Sequence, residues 1–477
     1  MLNPRLSFRQ IVFFAALFSA CVLLSGIGNA APSVTLSRKS GPPTSRILVS
    51  GRGFAPNVGV DIYFGKKDEA LIVTNGKGEF ENAKIHAPRT ALPGKHWVTA
   101  LERNNDKGAQ EPFRVQTDWR QFHFSADHAG MNPYENVLDP KTVGNVVLRW
   151  TYNVGIVPAS APAVAEGVAY AGSTKMYAID AKTGVDIWSY DGLNASQPAV
   201  ENGVVYSVGE DLTALKASTG EALWSYAVDS DYDPTVSGGI VYVGSNDFNV
   251  YALNARTGVK LWSFPTGSYV QSSPAVADGI VYIGSLDHNV YALNALTGEK
   301  LWSYATNGRV WSSPTVVNGA VYVGSEDHNL YALNALTGAK LWSYATDSVV
   351  YSSPAVSDEV VYVTSTFEVF ALDANTGAKL WSYRDLSSPF SPVLANGVVY
   401  VGFYDHLTAL SASTGIVLWN YELLGPLADE PAVVDGVIYV GSGDGNIYAF
   451  GLPRGDGIAE DADSKRPDLK MLRPETP

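Results

Sequence analysis

Between Ser272 and Tyr304 the chain alternates short apolar runs with small polar turns. Ser272–Val276 predicts a short strand, and Gly279–Ile283 a longer apolar one. Asp287-His288-Asn289 supplies a hairpin turn into Val290–Leu293, and Thr297-Gly298 turns the chain into Lys300–Tyr304. Four strands in about 40 residues is the size of one propeller blade. A lone four-stranded sheet of this kind exposes two apolar faces, so it must pack on neighbours in a ring.

The same unit recurs in three registers. Trp150, Trp188, Trp224, Trp262, Trp302, Trp342, Trp381 and Trp419 follow one another at intervals of 38, 36, 38, 40, 40, 39 and 38 residues. A Thr-Gly pair precedes each of the last seven at a fixed distance. Tyrosines from Tyr170 to Tyr439 and prolines from Pro162 to Pro431 mark the other two registers. The last copy, Gly436–Phe450, has no tryptophan strand after it. The first, Leu148–Tyr152, is a tryptophan strand with nothing before it. Joining the two completes a blade and removes two sheet edges. The expected fold is therefore all-β: an eight-bladed β-propeller over 148–451.

Upstream, Arg46–Ser50, Val58–Phe64, Ala70–Val73, His96–Glu102 and Gln110–Val115 predict short strands. Gly41–Pro43, Asn75-Gly76 and Pro93-Gly94 are the turns between them. A small β-sandwich over 31–117 is expected, followed by a lead-in segment at 118–147. His86 and His96 read as surface residues. The tail, 452–477, is charged and Pro-containing without apolar periodicity, and is expected to be disordered. Its Arg454-Gly455-Asp456 matches an adhesion tripeptide.

Residues 1–30 read as a signal peptide. Arg5 and Arg9 precede an apolar run from Ile11 to about Ile27, and Gly28-Asn29-Ala30 sets cleavage before Ala31. The competing reading is an uncleaved anchor. Ser19-Ala20-Cys21 resembles a lipoprotein signal, yet Val22-Leu23-Leu24 continues the apolar run where such signals turn polar. Membrane contact is expected only with a lipidated Cys21 or an uncleaved signal. The chain is expected to be exported: periplasmic, cell-surface or secreted.

Composition sharpens this picture. Charged residues make up 17% of the chain and aromatic ones 11%, which suits buried sheet faces rather than a helical bundle or a disordered chain. Cys21 is the one cysteine, so an intrachain disulfide is excluded. The net charge of −14 becomes −16 without Arg5 and Arg9 (31 basic against 47 acidic residues). With no basic face, nucleic acid is not expected as a partner.

The stretch Ala252–Trp262 reads A-x-[D/N]-x-x-T-G-x-x-x-W and recurs at Ala178–Trp188, Ala292–Trp302, Ala332–Trp342 and Ala371–Trp381; Lys216 and Ser411 depart from it. It resembles the tryptophan-docking motif of quinoprotein-type (PQQ-like) propellers, and Asp118–Phe122 resembles that group's lead-in. The resemblance covers roughly 118–451 and implies that the eight repeat tryptophans dock each blade on its neighbour. It also implies two functional classes. Pyrroloquinoline-quinone (PQQ) dehydrogenases of the group hold quinone over a tryptophan floor with calcium on Glu, Asn and Asp, often beside paired cysteines. This chain has no such cysteines and no long insertion between blades. Its even repeats resemble the non-catalytic members, including the propeller lipoprotein of outer-membrane protein assembly. PQQ and calcium find no supporting residues. The N-terminal residues 50–56 and 92–96 resemble bacterial immunoglobulin-like and IPT-type modules, which act as spacers or adhesive units.

Positions that break the repeat are the candidates for function. Ser-Ser-Pro at Ser272–Pro274, Ser312–Pro314 and Ser352–Pro354 is replaced by Tyr232-Asp233-Pro234, Phe390-Ser391-Pro392 and Asp429-Glu430-Pro431. Asp231, Asp233, Gln271, Arg309, Trp311, Tyr351, Phe390, Asp429 and Glu430 are expected to cluster at one mouth of the channel, able to hold a peptide, a sugar or a small ligand. The alternative is a hydrated rim. Asp229, Asp231 and Asp233 alternate, and as an extended segment they would share a cation such as calcium. His123 and His128 lack a partner motif, and the histidines of Asp287–Asn289 and Asp327–Asn329 sit on separate blades. The expected function is an exported non-catalytic scaffold that binds an envelope or extracellular protein, or a small ligand. A quinone-dependent dehydrogenase and a glycan- or peptide-binding module are the alternatives.

Overall fold

The computed structural model describes residues 31–155, 158–191, 196–453 and 468–472. The signal segment, Cys21 and Arg454-Gly455-Asp456 lie outside the described residues.

The N-terminal strands form two sheets. Ser33–Leu36, Arg46–Arg52 and Phe80–His86 make one; Ser40–Gly41, Gly108–Val115, Gly94–Glu102, Gly59–Phe64 and Lys67–Val73 make the other. Ile47, Val49 and Ile85 from the first share one core with Val60, Ile62, Val98 and Phe113 from the second. Phe80–His86 was not among the expected strands. Asn82 sits at φ 55°, and the register slips between Val49 and Gly51, so its apolar residues do not alternate strictly. His96 is half-buried, against the expectation of a surface residue: Nε2 lies 2.7 Å from the Leu92 carbonyl, and the ring packs on Phe64.

From Ala163 to Gly451 the chain forms sheets of four antiparallel strands in sequence order, and Val147–Asn153 pairs with Asn446–Gly451 to complete the last one. There are eight such sheets among the described residues. Each innermost strand lies beside the next around the ring, and Ala432–Val434 lies beside Ala163–Ala165, so the ring is closed. The innermost strand of the Ser272–Tyr304 repeat is Ala275–Ala277, later than Ser272–Val276. Pro274 has no N–H to give a ladder, so pairing begins after it.

The lead-in segment plugs this ring. Backbone N–H groups of Val164, Val200, Val276, Val316, Val356 and Leu394 donate to the carbonyls of Trp119, Arg120, Ala126, Asp127, Ala129 and Gly130 at 2.5–2.9 Å. Val236 N–H donates to Gln121 Oε1 at 2.9 Å, and Asn132 Nδ2 to the Val433 carbonyl at 2.9 Å. All eight innermost strands thus give an edge bond to one strap, 119–132. An innermost edge facing an open channel would be left to water; here the chain covers it.

The two modules touch. Thr117 N–H donates to Asp435 Oδ1 at 2.9 Å, and Asn136 Nδ2 to the Ala91 carbonyl at 2.9 Å. Leu469–Leu472 forms one 3-10 turn, and the buried Leu472 packs on Tyr63 and Leu101. This piece of the tail departs from the expected disorder because it has an apolar contact to make.

Candidate functional site

Seven seams between sheets share one geometry. Trp302 Nε1 donates to the Ala335 carbonyl of the next sheet at 2.8 Å, and Tyr282 Oη donates to the same oxygen at 3.1 Å. Asn334 Oδ1 accepts the N–H groups of Leu336 and Thr337, which forms the turn that presents Ala335 and Gly338. The glycine is required: it sits at φ 70°, and a Cβ there would be 2.7 Å from the Trp302 ring. Trp150, Trp188, Trp224, Trp262, Trp342 and Trp381 meet a glycine of the next sheet in the same way. Trp419 differs. It packs on Phe450 and Tyr421, where the first and last strands of the ring pair and no Thr-Gly turn is present.

At one mouth of the ring a cavity of about 390 Å³ is lined by Asp231, Tyr232, Asp233, Trp311, Tyr351, Phe390 and Asp429, with Gln197 and Ser273. Its floor is Phe122 of the strap. Of the nine residues expected at this mouth, six line the cavity. Gln271 is tied to Asn246 by a 3.0 Å hydrogen bond, and Arg309 lies 4.0 Å from Glu326; neither reaches the cavity. Glu430 is buried behind the wall. Trp311 and Tyr351 meet edge to face at 6.1 Å and both donate to Glu326 Oε1, at 2.9 and 3.4 Å.

The residue before each repeat proline forms a ring of its own: Ala161, Gln197, Asp233, Ser273, Ser313, Ser353, Ser391 and Glu430. Along the serine arc each N–H donates to the next hydroxyl: Ser273 to Ser313 at 2.8 Å, Ser313 to Ser353 at 2.9 Å, Ser353 to Ser391 at 3.0 Å. Gln197 N–H donates to Asp233 Oδ1 at 2.9 Å. Over the remaining arc the pattern breaks. Neither carboxylate oxygen of Glu430 accepts a hydrogen bond, and neither amide atom of the Gln197 side chain has a partner, although both residues are 1% exposed. Burial drives the carboxyls of Asp233 and Glu430 well above the usual range, and the neighbouring Asp429 adds to it. Gln197 and Ala161 were missed from sequence, yet reading the pre-proline position in every repeat would have found them.

The alternating aspartates do not converge on a cation, a correction to the sequence expectation. Asp229 and Asp231 share the amide of Asn246, at 3.3 and 3.1 Å, while Asp233 turns to Gln197 and the cavity. Successive side chains here follow the loop before Thr235, not an extended strand. Among the described residues no three His, Cys, Asp or Glu side chains are grouped to hold a metal ion. A calcium-held quinone does not fit this mouth: the floor is a phenyl ring rather than an indole, and two of the four carboxyls at it, Asp233 and Glu430, are pushed toward the neutral form.

His123 and His128 are fully buried in the strap. His123 stacks on Phe122 at 4.4 Å, and His128 Nε2 lies 3.0 Å from Thr235 Oγ1. Burial lowers both pKa values, that of His123 to about 3.

The family profile described as outer membrane protein assembly factor BamB matches residues 177–271, 248–384 and 365–473, more than half of the chain. The chain belongs to this family. BamB from Moraxella catarrhalis superposes with a TM-score of 0.57 at 21% identity, over 65% of this chain and 98% of that one. Quinohemoprotein alcohol dehydrogenase from Comamonas testosteroni gives 0.59 at 16% identity, over 70% and 80%. A europium-containing methanol dehydrogenase gives 0.61 at 14%, over 70% and 98%. At these identities the likeness speaks for the β-propeller fold alone. No curated protein sequence matches the chain. Among the described residues no helix is long and apolar enough to cross a membrane.

Proposed function

We propose that this chain is an exported, non-catalytic, eight-bladed propeller scaffold of the BamB type that binds protein in the cell envelope or outside the cell. The family match over residues 177–473, to a profile described as an outer membrane protein assembly factor, carries the reading. The site supports it, since the strap stops the channel and the mouth does not suit a calcium-held quinone. The N-terminal sandwich, read as immunoglobulin-like, serves as a spacer beside the ring. The test is affinity capture of the full chain from detergent-solubilised envelopes after in-cell cross-linking. The reading expects a defined envelope protein cross-linked to the propeller. Cross-links confined to abundant bystanders, unchanged with an unrelated exported protein as bait, overturn it.

A further inference from the structure

The pre-proline ring is half complete. On the serine arc every side chain is engaged by its neighbour; on the arc Glu430, Ala161, Gln197, Asp233 the acceptors of Glu430 and Gln197 face no donor. A buried polar side chain without a partner costs free energy that a ligand supplying the missing donors recovers. Ala161, between them, contributes only a methyl group. Asp233 and Asp429 line the cavity on the same side, and Phe122, Trp311, Tyr351 and Phe390 supply apolar surface around it.

We infer that the channel mouth binds a small primary amine, its ammonium hydrogen-bonded to Gln197 and Asp233, with the buried Glu430 behind them, and its apolar body held by the aromatic walls. An ammonium carries three N–H donors and no acceptor, which matches an arc whose unengaged groups are mostly acceptors. Aromatic faces add attraction for a cation. Burial raises the carboxyls of Asp233 and Glu430, so the cluster carries less negative charge than its count of acids and one positive charge can balance it. The net charge of −14 draws cations toward the ring. A cavity of about 390 Å³ suits a small molecule rather than a peptide segment. The inference does not depend on the scaffold reading, since a scaffold can carry or lack such a site.

The test is calorimetric titration of the full chain with 2-phenylethylamine, 2-phenylethanol, phenylacetate, calcium chloride and an acetylated Gly-Lys-Gly amide. The amine is expected to bind at least tenfold more tightly than the alcohol, phenylacetate and the lysyl peptide. Asp233→Asn with Glu430→Gln should weaken the amine at least tenfold, with an unchanged circular dichroism spectrum. Trp311→Ala, at the half-buried rim, should weaken amine and alcohol alike and serves if the double variant fails to fold. An amine that binds no tighter than the alcohol overturns the assignment, as does a folded double variant with unchanged affinity. Tighter binding of calcium, displacing the amine, would replace it with a metal site, and an equal affinity for the lysyl peptide would replace the small amine with a protein side chain.

Discussion

Gly298 lies so close against the indole of Trp262 that a Cβ there would be 2.7 Å from the ring. The contact crosses from one sheet to the next, and with the Trp262 hydrogen bond to the Ala295 carbonyl at 3.0 Å it fixes the seam. Gly298→Ala adds a clash to a backbone held at φ 73°. It should cost about 2–4 kcal/mol in chemical denaturation. Gly319 has a similar φ of 76° but open space around it, so Gly319→Ala should cost only about 1–2 kcal/mol. Equal losses would mean that the backbone, not the tryptophan, explains the glycine.

Trp302→Phe leaves the Ala335 carbonyl with one donor fewer and opens a gap in a buried seam. A loss of about 1–3 kcal/mol is expected. Trp419→Phe should cost less, because Trp419 faces Phe450 and Tyr421 rather than a Thr-Gly turn. Denaturation midpoints of the two variants, measured side by side, check this ranking.

Gln121 reaches the innermost strand at Val236 through its side chain. Gln121→Ala strands the buried Val236 N–H at a cost of about 1–3 kcal/mol. Amide hydrogen exchange should speed up at Val236 and along the strap before it does so in the outer strands. Uniform exchange across the ring would deny the strap this local role.

The strap histidines make stability pH-dependent. His123 is held near a pKa of about 3 in the fold by burial, with His128 the other titratable group against the Phe122 ring they share. Unfolded, a histidine titrates near 6.5. The unfolded chain therefore takes up a proton first as pH falls, and stability present above about 6.5 is lost progressively toward 3. His123 alone should remove about 2 kcal/mol between pH 7.5 and pH 5. In His123→Phe the difference in unfolding free energy between those two pH values should shrink by that amount; an unchanged difference places the pH dependence elsewhere.

Much of this architecture is legible in the chain because its determinants are side chains with a period. Trp302, Tyr282 and Gly338 recur since each seam needs the same contacts, and the unmatched strands at Leu148 and Tyr439 point to where the ring closes. What is not legible uses the backbone or breaks a period. The strap bonds through carbonyls such as those of Ala126 and Ala129, which no residue type signals. Its core, His123, Phe124 and His128, adopts positive φ without glycine, held there by surrounding contacts. Asp229–Asp233 has the spacing of a strand but follows a loop, so the same residues that suggested a cation site divide between Asn246 and the channel. Glu430 stands beside Asp429 in the sequence, and its burial comes from neighbours distant in the chain.

We propose that this ring acts by binding and not by quinone chemistry. The most direct measurement is dye reduction by the purified chain with alcohols and sugars, after addition of pyrroloquinoline quinone and calcium. No turnover above the protein-free control is predicted. Quinone-dependent turnover that saturates with substrate would contradict it.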